Sequence, residues 1–246
     1  MSKVLESNFT WHEGGDALSL AEHLASEVVL QINNAIAEQG NAVVAFSGGS
    51  TPKPLFNALA DHDIDWSKVI ITLVDERWVD ETHELSNAAF LNKYLLALLT
   101  DNAPAFVPLF NTEADIAKGC AQTLKTYCQA TGSEVTKPRQ FDVVILGMGN
   151  DGHTASFFPD ADNIADLVDP QSSDYLLSCS SPTTQVERIT WSLPMLLNTP
   201  FLALHITGES KAEVFQQACA NQQSTKLPIS SVIFQNKTHL NVYYAD

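Results

Sequence analysis

Between residues 15 and 39, apolar side chains return every three or four positions: Leu18, Ala21, Ala25, Val28, Ile32 and Ile36. That spacing predicts an amphipathic helix with one face on a core, and Gly40 is placed to end it. The pattern then changes. Ala42 to Phe46 is a short unbroken apolar run, the form taken by a strand covered on both faces. A loop rich in glycine and hydroxyl residues follows, and Pro52 suits the first turn of a second helix. The same alternation continues. Strands are predicted at residues 69–74, 141–146, 175–179, 201–206, 231–234 and 240–244, and helices at about 86–99, 112–130 and 210–220. Short apolar strands alternating with helices predict a mainly parallel, doubly wound sheet, with ligands bound beyond the carboxyl ends of its strands. No repeat, low-complexity tract or linker interrupts the 246 residues, so a single domain over 1–246 is expected.

Charge narrows the function. The formal net charge is −16, which argues against nucleic-acid or anionic-membrane partners, both of which are bound through clustered Lys and Arg. No run of eighteen apolar residues and no secretory h-region is found, and a cytoplasmic protein is expected. Cys120, Cys128, Cys179 and Cys219 lack metal-ligand spacing and read as small buried hydrophobes. An acidic chain with an anionic ligand must concentrate its few cations where that ligand sits. The arginines are only Arg77, Arg139 and Arg188, and the first and last lie in segments with other marks of chemistry.

Four segments carry candidate chemistry. Phe46-Ser47-Gly48-Gly49-Ser50-Thr51-Pro52 runs from strand to helix start without the lysine of a Walker A loop. Glycines that let backbone N–H groups approach, hydroxyl donors at Ser50 and Thr51, and a helix N-terminus together suit an anion. The plainer alternative is a βα turn capped by a hydroxyl. Val74-Asp75-Glu76-Arg77 delivers carboxylates and a guanidinium to a strand's exit, either as a ligand contact or as a solvated ion pair. Gly147-Met148-Gly149-Asn150-Asp151-Gly152 matches a dinucleotide fingerprint formally. However, Pro159 would stop the required helix early, and no acidic residue closes the next strand, so NAD(P) is not the expected ligand. Asp151-Gly152-His153 suits a general base better, with an imidazole titrating near neutrality and a carboxylate to fix its tautomer. Lys211 falls in the first turn of a helix, where a cation is unfavourable unless an anion lies alongside; a solvated surface lysine is the alternative.

In order, SGGSTP, VDER, SNAAFLNKYLL, GMGNDGHTASFFP, RIT, ITGESKA and LPIS span nearly the whole chain. This set resembles the family that contains glucosamine-6-phosphate deaminases and 6-phosphogluconolactonases. The resemblance implies a three-layer α/β/α fold around a mainly parallel, Rossmann-like sheet. It places Gly48, Gly49, Ser50, Thr51, Arg188 and Lys211 around a sugar's 6-phosphate. Deaminases of the family carry a glutamate where Phe158 stands and a tyrosine where Arg77 stands. The resemblance therefore favours the lactonase branch over an amino-sugar deaminase or isomerase, or a sugar-phosphate sensor. It implies hydrolysis of 6-phospho-D-glucono-1,5-lactone to 6-phospho-D-gluconate, the second step of the oxidative pentose phosphate pathway. His153 would be the base and Asp151 its support. Arg77 or backbone N–H groups would stabilise the oxyanion, and Asp75 would bind a sugar hydroxyl or orient Arg77. Neither cofactor nor metal is expected, and the expected assembly is a monomer or small homo-oligomer.

Overall fold

The computed structural model describes residues 8–100, 102–184, 186–222 and 225–246. Its centre is a seven-stranded, wholly parallel sheet. In chain order the strands are β1 (Phe9–Glu13), β2 (Ala42–Phe46), β3 (Val69–Leu73), β5 (Ala105–Val107), β6 (Val143–Leu146), β9 (Phe201–Thr207) and β10 (Leu240–Ala245). Across the sheet they lie in the order β1-β10-β9-β6-β2-β3-β5. A second, antiparallel sheet of three strands combines β4 (Asp75–Arg77), β8 (Arg188–Trp191) and β7 (Leu176–Cys179) in the order β4-β8-β7. Helices cover both faces of the main sheet, giving the expected three-layer α/β/α arrangement.

Local sequence accounts for most of these elements. Helix α1 (Ala17–Gln39) begins where the Asp16 side chain accepts from the N–H groups of Leu18 and Ser19, a cap worth about 1 kcal/mol. It ends at Gly40, whose φ of 84° is left-handed. Of the expected stripe, Ala21, Ala25, Val28 and Ile32 are buried and Ile36 partly so, with Leu20 and Leu24 beside them; Leu18, in the first turn, lies outside the stripe at 70% exposed. Strands β2, β3 and β6 are buried at every position, as unbroken apolar runs require when helices cover both faces. The antiparallel sheet is tied to the main one through Trp191. Its indole N–H donates to the Leu73 carbonyl at 2.9 Å, and its ring packs edge-on against Tyr127 and Phe141.

Some expectations need correction. Residues 231–234 are not a strand: helix α8 (Ser230–Ile233) lies there. Pro228 starts a turn just upstream, and Ile229, Val232 and Ile233 bury the spacing of a helix face. The helix expected over 86–99 ends earlier, as α3 (Asn87–Tyr94) followed by a 3₁₀ turn at Leu96–Leu98. The strand at 175–179 forms, as β7, but it joins the antiparallel sheet. Strands β1, β4, β5 and β8 were not marked by any apolar run. Each is short or at an edge, so long-range pairing rather than local pattern makes it a strand.

Candidate active site

Strand β2 leads next to β3 on one side of the sheet, while β6 leads to β9 on the other, so the carboxyl ends of β2 and β6 flank a switch point. Loops diverge there, and the crevice between them is where α/β sheets bind ligands. A cavity of about 280 Å³ opens at that place. The turn after β2 supplies Gly48, Gly49, Ser50 and Thr51, and β4 supplies Asp75 and Arg77. The turn after β6 supplies His153, β8 supplies Arg188, and α7 (Glu209–Ala220) supplies Lys211. The two central turns are stitched together by Ser47, whose Oγ accepts from the Gly147 N–H at 3.1 Å.

The base position is built by a compact turn rather than a helix. After β6 no helix forms before α5 (Ile164–Leu167), so the glycine fingerprint does not open a dinucleotide-type helix. Instead the Gly149 N–H donates to the His153 carbonyl at 2.9 Å, and the imidazole folds onto the Gly149 backbone. A Cβ on Gly149 would lie 2.2 Å from His153 Cε1, so only glycine admits the ring there. His153 Nδ1 lies 2.5 Å from Asp151 Oδ1. Burial pushes the Asp151 carboxyl up, but the hydrogen bonds and charge of His153 outweigh it and the net shift is downward. An ionised Asp151 accepts the proton of Nδ1 and leaves Nε2 as the basic nitrogen. The other face of the imidazole packs against Phe158 at 4.4 Å between ring centres, and the Arg188 guanidinium lies 5.2 Å from the same Phe158 ring.

The cationic side is made by two strands. In the antiparallel pairing of β4 with β8, Arg77 stands directly opposite Arg188. Like charges in that relation repel. Among the described residues neither arginine forms a salt bridge, and the Nε of each is buried without a partner. Burial lowers the proton affinity of Arg188, with the charge of Arg77 adding to that effect and Asp75 opposing it. Burial likewise lowers that of Lys211, which is half-buried at the start of α7. Asp75 is buried between these groups, and its Oδ2 accepts from Ser156 Oγ at 2.6 Å.

A profile of the family described as glucosamine-6-phosphate isomerases/6-phosphogluconolactonase matches residues 15–242. The chain belongs to that family. A relative from Mesorhizobium japonicum named 6-phosphogluconolactonase is 38% identical over 239 residues, which are 97% of this chain and 96% of the relative. One of the same name from Neisseria meningitidis is 36% identical over 243 residues, 97% of this chain and all of the relative. The crystal structure of a 6-phosphogluconolactonase from Shewanella baltica superposes with a TM-score of 0.88 at 33% identity, covering 98% of this chain and 99% of that one.

The family motifs are scattered along the chain, and the fold gathers them. Gly48, Gly49, Ser50, Thr51, Asp75, Arg77, His153, Arg188 and Lys211 all line one cavity, and Asp151 stands behind His153. Three residues at the cavity were assigned no role from sequence. Met148 lines it from the turn after β6 and His205 from β9, where His205 reads as an ordinary strand residue. Asn87 lines it as well; in sequence it reads only as part of the helix expected from residue 86. Glu76, part of the same motif as Asp75, points away from the cavity. Its carboxylate accepts from the N–H groups of Arg77, Asn87 and Ala88 at 2.7, 2.8 and 2.7 Å and serves as the anion at the start of α3. Burial raises its proton affinity against the pull of those three donors.

Proposed function

We propose that this cavity hydrolyses 6-phospho-D-glucono-1,5-lactone to 6-phospho-D-gluconate, with the lactone's phosphate held among the Gly48–Thr51 turn, Arg188 and Lys211. One observation carries the reading: two guanidiniums, without salt bridges among the described residues, stand opposite each other across a cavity from an imidazole backed by a carboxylate. An anionic substrate relieves the repulsion between the arginines, and the imidazole supplies a base. In this scheme His153 Nε2 takes a proton from water as the water oxygen bonds to the lactone carbonyl carbon. Arg77 faces the developing oxyanion; a donor so placed is worth about 3 kcal/mol. Collapse of the tetrahedral intermediate breaks the bond from the carbonyl carbon to the ring oxygen. His153 returns its proton to that oxygen, which becomes the free hydroxyl.

The deaminase alternative needs a carboxylate to serve the histidine in ring opening. At the corresponding place Phe158 covers the imidazole with an apolar ring that moves no proton. Stopped-flow lactone hydrolysis, read against a no-enzyme control, tests the reading. His153→Ala is expected to lose at least about a hundredfold in kcat, while Arg188→Ala and Lys211→Ala mainly raise KM. Wild-type turnover in the histidine variant, or ammonia release from glucosamine 6-phosphate by the wild-type enzyme, would overturn it.

A further inference from the structure

Asn87 is the first residue of α3, only 3% exposed, and its side-chain amide sits among three separate parts of the cavity. Its Nδ2 donates to the Asp75 backbone carbonyl at 2.9 Å. Its Oδ1 accepts from Arg77 Nη1 at 2.9 Å. The same Oδ1 lies so close to the phosphate-side turn that a Cβ on Gly48 would be 2.0 Å from it. These contacts leave the amide a single orientation. Flipped, its NH₂ would meet the guanidinium donor and its oxygen would meet a carbonyl, so both hydrogen bonds would become repulsions. Arg77 is held at the other side by the Leu85 carbonyl, which accepts from the same Nη1 at 2.5 Å. With Nη1 committed twice to protein acceptors and Nε buried, the guanidinium plane is set and the Nη2 N–H groups are left for a ligand.

We infer that Asn87 is the positioning residue for Arg77: its amide, locked by Asp75 and by the close approach of Gly48, aims the guanidinium at the reacting group. A long, flexible arginine opposite a second arginine would otherwise swing away from it. Asn87 thereby also makes the geometry of Arg77 depend on the phosphate-side turn, because Gly48 and Arg77 both rest against its amide oxygen. The inference builds on the lactonase reading but is separable from it.

The test is a double-mutant cycle on lactone hydrolysis with Asn87→Ala, Arg77→Met and the combined variant. Misplacing a guanidinium by about an ångström costs on the order of a hundredfold, and Asn87→Ala is expected to lower kcat/KM by about that factor. In the Arg77→Met background the same substitution should cost less than about threefold, because there is no guanidinium left to aim. A merely structural role would cost the same factor in both backgrounds, and that result overturns the inference. Binding of 6-phosphogluconate, measured by calorimetry on the same four proteins, gives the cycle a second readout where turnover falls to the spontaneous rate. Should Asn87→Ala fail to fold, Asn87→Ser enters the same cycle with the same expectation. A wild-type enzyme without lactonase activity would count against the proposed function, whereas an active one with additive effects would count against Asn87.

Discussion

His205 offers a quantitative test of how the fold treats a buried polar group. The residue lies in β9, between β6 and β10, and is 2% exposed, with no hydrogen-bond partner among the described residues on either ring nitrogen. Burial, reinforced by the nearby charge of Lys211, holds its pKa down to about 4 from the usual 6.5. The unfolded chain takes up this proton as the pH falls through 6.5, while the folded chain does not until about 4, so acid favours unfolding across that window. Between pH 7 and pH 5 the cost from this one group is about 2 kcal/mol. His205→Phe removes the titration and fills the site with a ring of similar size. It also replaces an unpaired polar group with an apolar one, so its stability at pH 7 should match or exceed the wild type. Urea denaturation of both proteins at pH 7 and pH 5 is the assay. The wild type should lose about 2 kcal/mol more than the variant on going to pH 5. Parallel losses would refute the picture of a neutral, unpartnered imidazole in the sheet.

Two further outcomes follow from other parts of the molecule. Gly149→Ala would place a methyl 2.2 Å from the His153 ring and 2.7 Å from Asp151 Oδ1; with the imidazole displaced, turnover should fall on the order of a hundredfold, and steady-state assays of the folded variant check this. Far from the cavity, Asp142 accepts from the Val43 N–H at 2.7 Å and from Arg139 Nη2 at 2.8 Å. Asp142→Ala leaves that arginine uncompensated at the amino end of β6 and should cost about 3 kcal/mol in thermal or urea unfolding, with KM and kcat at 25 °C unchanged.

The elements with strong local signals were legible from residue order alone. The stripe of α1, its stop at Gly40, and the covered strands β2, β3, β6 and β9 each encode their state within a few neighbouring residues, because side-chain period and backbone preference act locally. The motif residues were legible for a related reason: glycine, hydroxyl and charged types at a strand's exit have few uses besides a turn or a ligand. Lys211, stranded in a helix's first turn, is an example. Even the glycine fingerprint carried its own correction in Pro159, and Gly149 within it proved to seat the His153 ring.

Whatever depended on residues distant in the chain had to await the tertiary structure. Placing the exits of β2 and β6 side by side requires the strand order of the sheet, and setting Arg77 against Arg188 requires the register of β4 on β8, two segments about 110 positions apart. Asn87 looks like a helix start until Gly48, Asp75 and Arg77 are seen around it. His205 looks like any strand residue until burial strips it of partners. Residues 231–234 carry strand-like side chains but turn into a helix, where the turn at Pro228 lets Val232 and Ile233 bury one helix face. Local sequence sets what a segment prefers; long-range pairing and burial determine which residues meet, and the chemistry of this cavity lies in those meetings.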